Sequence, residues 1–160
     1  MIKSVGIIEL IGGVVTSIYA AYAMATLDAT AATRLIFAIL LLVSIASATA
    51  GTLLLRRHRL GVLLSAVLQV IQLPAFSVAS TVYYLGLGLF MAFGLYLPQV
   101  SSSSLHLSLH WQFGLGTDFL VRLGEPAEEQ YVAVNLVALA LLALLWQSKV
   151  RSGDRAAAGA

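Results

Sequence analysis

The stretch Tyr83-Tyr84-Leu85-Gly86-Leu87-Gly88-Leu89-Phe90-Met91-Ala92-Phe93-Gly94-Leu95-Tyr96-Leu97 decides the fold. Its odd positions are all large, while its even positions include Gly86, Gly88, Ala92 and Gly94. A period of two with small residues on one face predicts a strand, and that many small residues would weaken a lone helix. The stretch ends a run from Leu60 to Leu97, 38 residues without a charge. As one helix that run would extend about 57 Å, roughly twice a hydrocarbon core of about 30 Å. It must break, and the break is expected after a helix over 60–79. A helical hairpin near Pro74 to Ser80 would instead make five spans and send Lys149, Arg151 and Arg155 to the wrong side.

Downstream, Leu105, Leu107, Leu109, Trp111 and Phe113 alternate with His106, Ser108, His110 and Gln112. Gly114 to Thr117 reads as a turn, and Phe119, Val121 and Leu123 alternate with more polar neighbours. Residues 81–123 are therefore expected to form an antiparallel sheet of three or four strands. Its odd face should be covered by helix ends, membrane or a partner, with the even face wet.

Upstream and beyond, the chain is apolar. Hydrophobic residues make up 60% and charged residues 10%, far from soluble averages of about 45–50% and 25%. Spans are expected at 5–24, 35–55, 60–79 and 131–146 within one domain over 1–160, followed by a disordered tail over 152–160. Lys3 and the Ala21-Tyr22-Ala23 triplet resemble a cleavable leader, but the apolar run is longer than a leader core and contains Glu9. A retained first helix is expected. Lys3, Arg56, Arg57, Arg59, Lys149, Arg151 and Arg155 fall on one side of these spans, and only Arg34 and Arg122 on the other. This bias places both termini in the cytoplasm of a bacterial inner membrane protein, with the sheet in the periplasm. The fold class is thus a four-transmembrane-helix bundle, N-in and C-in, with an extracytoplasmic antiparallel β-sheet between helices three and four.

Several intramembrane polar residues stand out. In the first helix Gly6, Glu9, Gly13, Thr16, Ala20 and Ala23 recur at steps of three and four. A face of small residues suits close helix packing, and its single carboxylate must look into the bundle rather than at lipid. Ser65, Gln69 and Gln72 make one polar stripe in the third helix, and Asn135 sits near the start of the fourth. The rise per residue brings Glu9 level with Gln69 and Asn135 level with Gln72. Interhelical hydrogen bonding accounts for all five, and binding of a proton or substrate is the sharper alternative. Arg56, Arg57 and Arg59 serve topology and anionic headgroups.

No metal or cofactor is expected. The chain has no cysteine, and His106 and His110 on a strand lie about 13 Å apart, too far to share an ion. No nucleophile-and-base pair, phosphate loop or paired carboxylates supply a catalytic site. The modest positive charge belongs to helix ends and does not indicate nucleic acid. The expected function is a non-enzymatic interaction or assembly module presenting the sheet. Its partners would be the lipid bilayer and a membrane protein or further copies of the chain. An oligomeric transporter or channel subunit using Glu9, Gln69, Gln72 and Asn135 comes second. An enzyme acting on lipid through His106, His110 and Asp118 is a distant third.

Overall fold

The computed structural model describes residues 2–26, 30–97, 108–124 and 129–158. Two long helices open the chain, α1 (Ile2–Thr26) and α2 (Ala31–Leu55), and both are long and apolar enough to cross a membrane. They pack backbone to backbone. A Cβ on Gly6 would lie 2.9 Å from the Gly51 carbonyl oxygen, and one on Gly51 would lie 2.5 Å from that of Gly6. A Cβ on Gly13 would collide with the backbone of Ser44 and Ala48. Small residues are what permit this approach where apolar surface outside gives helices no reason to associate. The expected small face of α1 is the buried one, with Gly6, Glu9, Gly13, Thr16, Ala20 and Ala23 all turned inward.

A tight return follows. Arg56 caps α2, Arg57 takes a left-handed φ of 56°, and His58 caps α3 (Arg59–Gln72) by accepting from Leu60 N–H through its side chain. Arg56, Arg57 and Arg59 are exposed. α3 has 14 residues, about 21 Å of rise, which falls short of a bilayer core.

Here the structure corrects the expected four helical spans. The segment expected as a third span over 60–79 is a helix only to Gln72, and Pro74–Val78 is strand β1. The ring of Pro74 removes a backbone donor and clashes with the preceding turn, so the helix stops before it. The expected fourth span over 131–146 opens as strand β4 (Tyr131–Asn135), and α4 (Leu136–Ala158) follows it. Tyr131, Ala133 and Asn135 are buried while Val132 and Val134 are exposed, a period of two that no helix produces. Only α1 and α2 qualify as spans among the described residues. α4 also continues through most of the stretch expected as a tail.

Between them run β2 (Thr81–Tyr96) and β3 (Leu109–Leu123). All pairings are antiparallel, in the order β1-β4-β2-β3, and β1 also pairs with β2. Three strands therefore close on one another. β1 joins the start of β2 through Phe76↔Tyr83 and joins β4 through Ala75↔Ala133, while β4 joins the end of β2 through Gly94↔Ala133. The small even positions of β2 make the closure possible. A Cβ on Gly94 would run into Val132 and Ala133 of β4, and Cβ atoms on Gly86 and Gly114 would meet the Phe90 ring. Inside the closed turn lie Phe90, Ala92, Tyr131, Ala133 and Ala75, with Tyr84 stacked on Phe90 at 6.0 Å between centroids.

Candidate functional site

The buried polar stripe gathers around one carboxylate. Glu9, only 3% exposed, accepts hydrogen bonds at Oε1 from Ser65 Oγ (2.5 Å) and Gln69 Nε2 (2.7 Å), while its Oε2 has no partner among the described residues. Ser47 Oγ donates to the Glu9 backbone carbonyl at 3.2 Å, which ties the same turn to α2. The contact between Glu9 and Gln69 expected from the helix rise is present. Three helices thus converge on this point, α1 through Glu9, α2 through Ser47 and α3 through Ser65 and Gln69. Ser17 and Ser44 add a hydroxyl pair at 2.9 Å one level along the same seam. Chemically, the arrangement holds one carboxylate oxygen by two hydrogen bonds and buries the other beside it.

The expected pairing of Gln72 with Asn135 is not made, and each side chain has a different task. Gln72 Oε1 accepts from Leu87 N–H at 3.1 Å and its Nε2 donates to the Leu68 carbonyl at 3.2 Å. Asn135 Oδ1 accepts from Val137 N–H (3.1 Å), Ala138 N–H (3.3 Å) and Met91 N–H (3.4 Å). Asn135 is therefore the N-cap of α4, a role for which Asn is among the preferred residues, and it pins that helix to β2. The signal for it was present in the sequence as an Asn directly before the apolar run of Leu136.

The second feature is the outward face of the sheet. Register places Phe93 between Trp111 and Val134, Leu95 between Leu109 and Val132, and Met91 beside Phe113. All eight side chains are exposed, from 38% at Met91 to 73% at Trp111. Nearer the helices the same face is covered, because Leu85 and Leu87 pack on Ala20 of α1 and Leu40 of α2.

The other face corrects the expectation that the even residues of this stretch stay wet. Alternation holds over 109–113, but His110 is buried, stacked on Tyr131 at 3.9 Å with the Tyr96 ring edge-on at 5.0 Å. Gly94 stands opposite His110 in the register. Only that side offers room for β4 to fold over, so the polar residues turn in and the apolar ones out. Neither His110 nitrogen has a hydrogen-bond partner among the described residues. Burial pushes the imidazole below its ordinary range, and the nearby Glu129 carboxylate partly opposes this. Leu105, His106 and Leu107 lie outside the described residues. The backbone of Asp118 pairs with Gly86 in the β2–β3 ladder.

Compared with protein-family models, curated proteins and solved structures, the chain matches none of them.

Proposed function

We propose that this protein is a non-enzymatic assembly module of a bacterial inner membrane. In this reading both termini and the Arg56–Arg59 loop are cytoplasmic, and the sheet lies toward the periplasmic side. Clustering of Val5, Leu54, Leu141 and Leu145 at one end of the bundle supports a common side for the chain start, the Arg loop and α4, and basic residues favour the cytoplasm for that side. The observation that carries the reading is the three-strand apolar face built on Phe93, Trp111 and Phe113. Contiguous exposed apolar surface of this kind marks an interaction site, and the partner that fits it is the apolar surface of another membrane protein.

The test is size analysis after purification in mild detergent, with and without the substitutions Phe93→Ser, Trp111→Ser and Phe113→Ser. The native chain should run in a complex with a membrane protein, and the triple variant, folded by its melting transition, should run alone. A native chain that runs alone overturns the reading. A closed ring of identical copies, unchanged by the substitutions, favours the second reading, a transporter or channel subunit. The unpartnered Oε2 of Glu9 in the bundle interior supports that alternative, because intramembrane carboxylates often mark ion pathways. Reporter fusions after Gly153 and within Ser101 to Ser104 test the orientation, with cytoplasmic and periplasmic signals expected respectively.

A further inference from the structure

The depth of the sheet along the two spanning helices can be read from their contacts. α1 and α2 have 25 residues each, so each rises about 37 Å and overshoots a core of about 30 Å by roughly 3–4 Å at either end. Leu85 and Leu87 of β2 pack on Ala20 and Leu40. Ala20 lies six residues before the end of α1 and Leu40 nine residues after the start of α2. Those contacts sit about 9–14 Å in from the helix ends, or roughly 5–10 Å inside the hydrocarbon boundary. The lower limit of the sheet agrees. β2 is bonded to Gln72 where α3 stops and to Asn135 where α4 starts. About 15 Å of helix then separates Asn135 from Leu145, which lies beside Val5 at the opposite end. Strands thus fill the half of the thickness that the short helices leave empty.

The polarity of the sheet fits this depth. Its outward face is apolar, whereas Ser77, His110, Tyr131 and Asn135 are buried on the inward side. Apolar-out and polar-in is the pattern of strands in contact with lipid. The closure of β1, β2 and β4 pairs backbone groups of those three strands that hydrocarbon would leave unsatisfied, while β3 pairs with β2 alone among the described strands. No Asp, Glu, Lys or Arg occurs from Leu60 through Thr117. The first charge beyond it, Asp118, stands opposite Gly86 at the depth of Leu85 and Leu87, so one carboxylate enters the bilayer with the sheet, at the cost such groups carry there. Tyr22, exposed nearer the outer end of α1, is suited to the headgroup level above it.

We infer that the sheet is embedded in the leaflet opposite the Arg56–Arg59 loop, with the face built on Phe93 and Trp111 lying against lipid acyl chains. This rests on the assembly reading in taking that face as a working surface, and deepens it: a protein partner must approach through the bilayer.

Trp111 and Trp146 are the two tryptophans of the chain, so Trp146→Phe leaves Trp111 as the sole reporter. The full chain is reconstituted alone in phosphatidylcholine vesicles brominated midway along the acyl chains. Trp111 emission should fall by roughly twofold or more against unbrominated vesicles, because the ring lies inside the hydrocarbon, and aqueous iodide should leave it unchanged. Quenching by iodide with none by bromine would place the sheet in water and overturn the inference, while the assembly reading would survive through a partner that covers the face in the cell. Quenching by neither would show a second copy on the face and also overturn it. If Trp146→Phe fails to fold, a single cysteine at Phe93 in the natively cysteine-free chain replaces it. Resistance to a polar maleimide in intact vesicles, with capture by a photoreactive lipid, supports the inference, and ready labelling overturns it.

Discussion

Leu87 and Gln72 are joined across the boundary between helices and strands, the Leu87 N–H donating to Gln72 Oε1 at 3.1 Å with both residues buried. The bond falls where α3 ends and commits a side-chain amide to a backbone N–H of β2. Gln72→Leu removes the acceptor and leaves a buried donor unsatisfied, which costs about 1–3 kcal/mol. A lowered melting transition in detergent is the expected outcome. An unchanged transition would show that the boundary is held by packing alone.

Glu9 divides into two experiments. Glu9→Gln keeps an oxygen for Ser65 and Gln69 and should hold stability within about 1 kcal/mol, since one neutral hydrogen bond is worth roughly that much. Glu9→Leu strands both donors inside the bundle and should cost about 2 kcal/mol or more. If Glu9→Gln folds normally yet the protein loses its cellular role, the carboxylate acts in transport and the assembly reading loses ground.

The contact of α1 with α2 tolerates no side chain at its closest points. Gly51→Leu would drive four carbons into the Gly6 carbonyl and the Leu10 backbone. Overpacking of a tight interface costs about 1–3 kcal/mol, and separation of helix backbones adds to it. Unfolding titration in detergent should show the loss, while Leu42→Ala, on an exposed position of α2, should show little.

His110 sets a pH dependence. Its imidazole is held below its ordinary value by burial, so the unfolded chain takes up a proton at higher pH than the folded chain. Stability from this group is complete above about pH 6.5, the ordinary value for histidine, and declines as pH falls through that value toward the folded one. The melting transition should drop between about pH 7 and 5, and His110→Phe should flatten the drop. An equal drop in that variant would assign the effect elsewhere.

The strand over β2 was legible because its alternation of small and large residues has no helical equivalent, and the inward face of α1 because small residues recur at helical steps. The ends of the third and fourth apolar segments were not legible. Hydropathy is blind to whether an apolar residue sits in a helix or a strand, so Pro74–Val78 and Tyr131–Asn135 read as parts of spans. Their five-residue alternations were too short to stand out beside helices of similar composition. Which sheet face turns inward was also hidden. Alternation fixes that His110 and Trp111 oppose each other, but the choice between them came from Gly94, whose missing side chain admits β4 at Val132 and Ala133. The polar stripe divided in the same way. Glu9 and Gln69 followed from helix rise, whereas Gln72 and Asn135 were claimed by backbone groups of strands not foreseen at those positions.

The closed ring of β1, β2 and β4 also imposes an order on biosynthesis. β1 ends at Val78 and its second neighbour begins at Tyr131, so 53 residues must be made before the ring can shut. At about 5–20 residues per second the delay is roughly 3–10 s. During that interval β1 and β2 form an open hairpin beside a finished α1–α2 pair, with bare edges able to recruit strands from neighbouring nascent chains. The ribosome-bound intermediate is therefore the stage at which this protein is most exposed to aggregation, and slow translation past Tyr96 would lengthen that exposure.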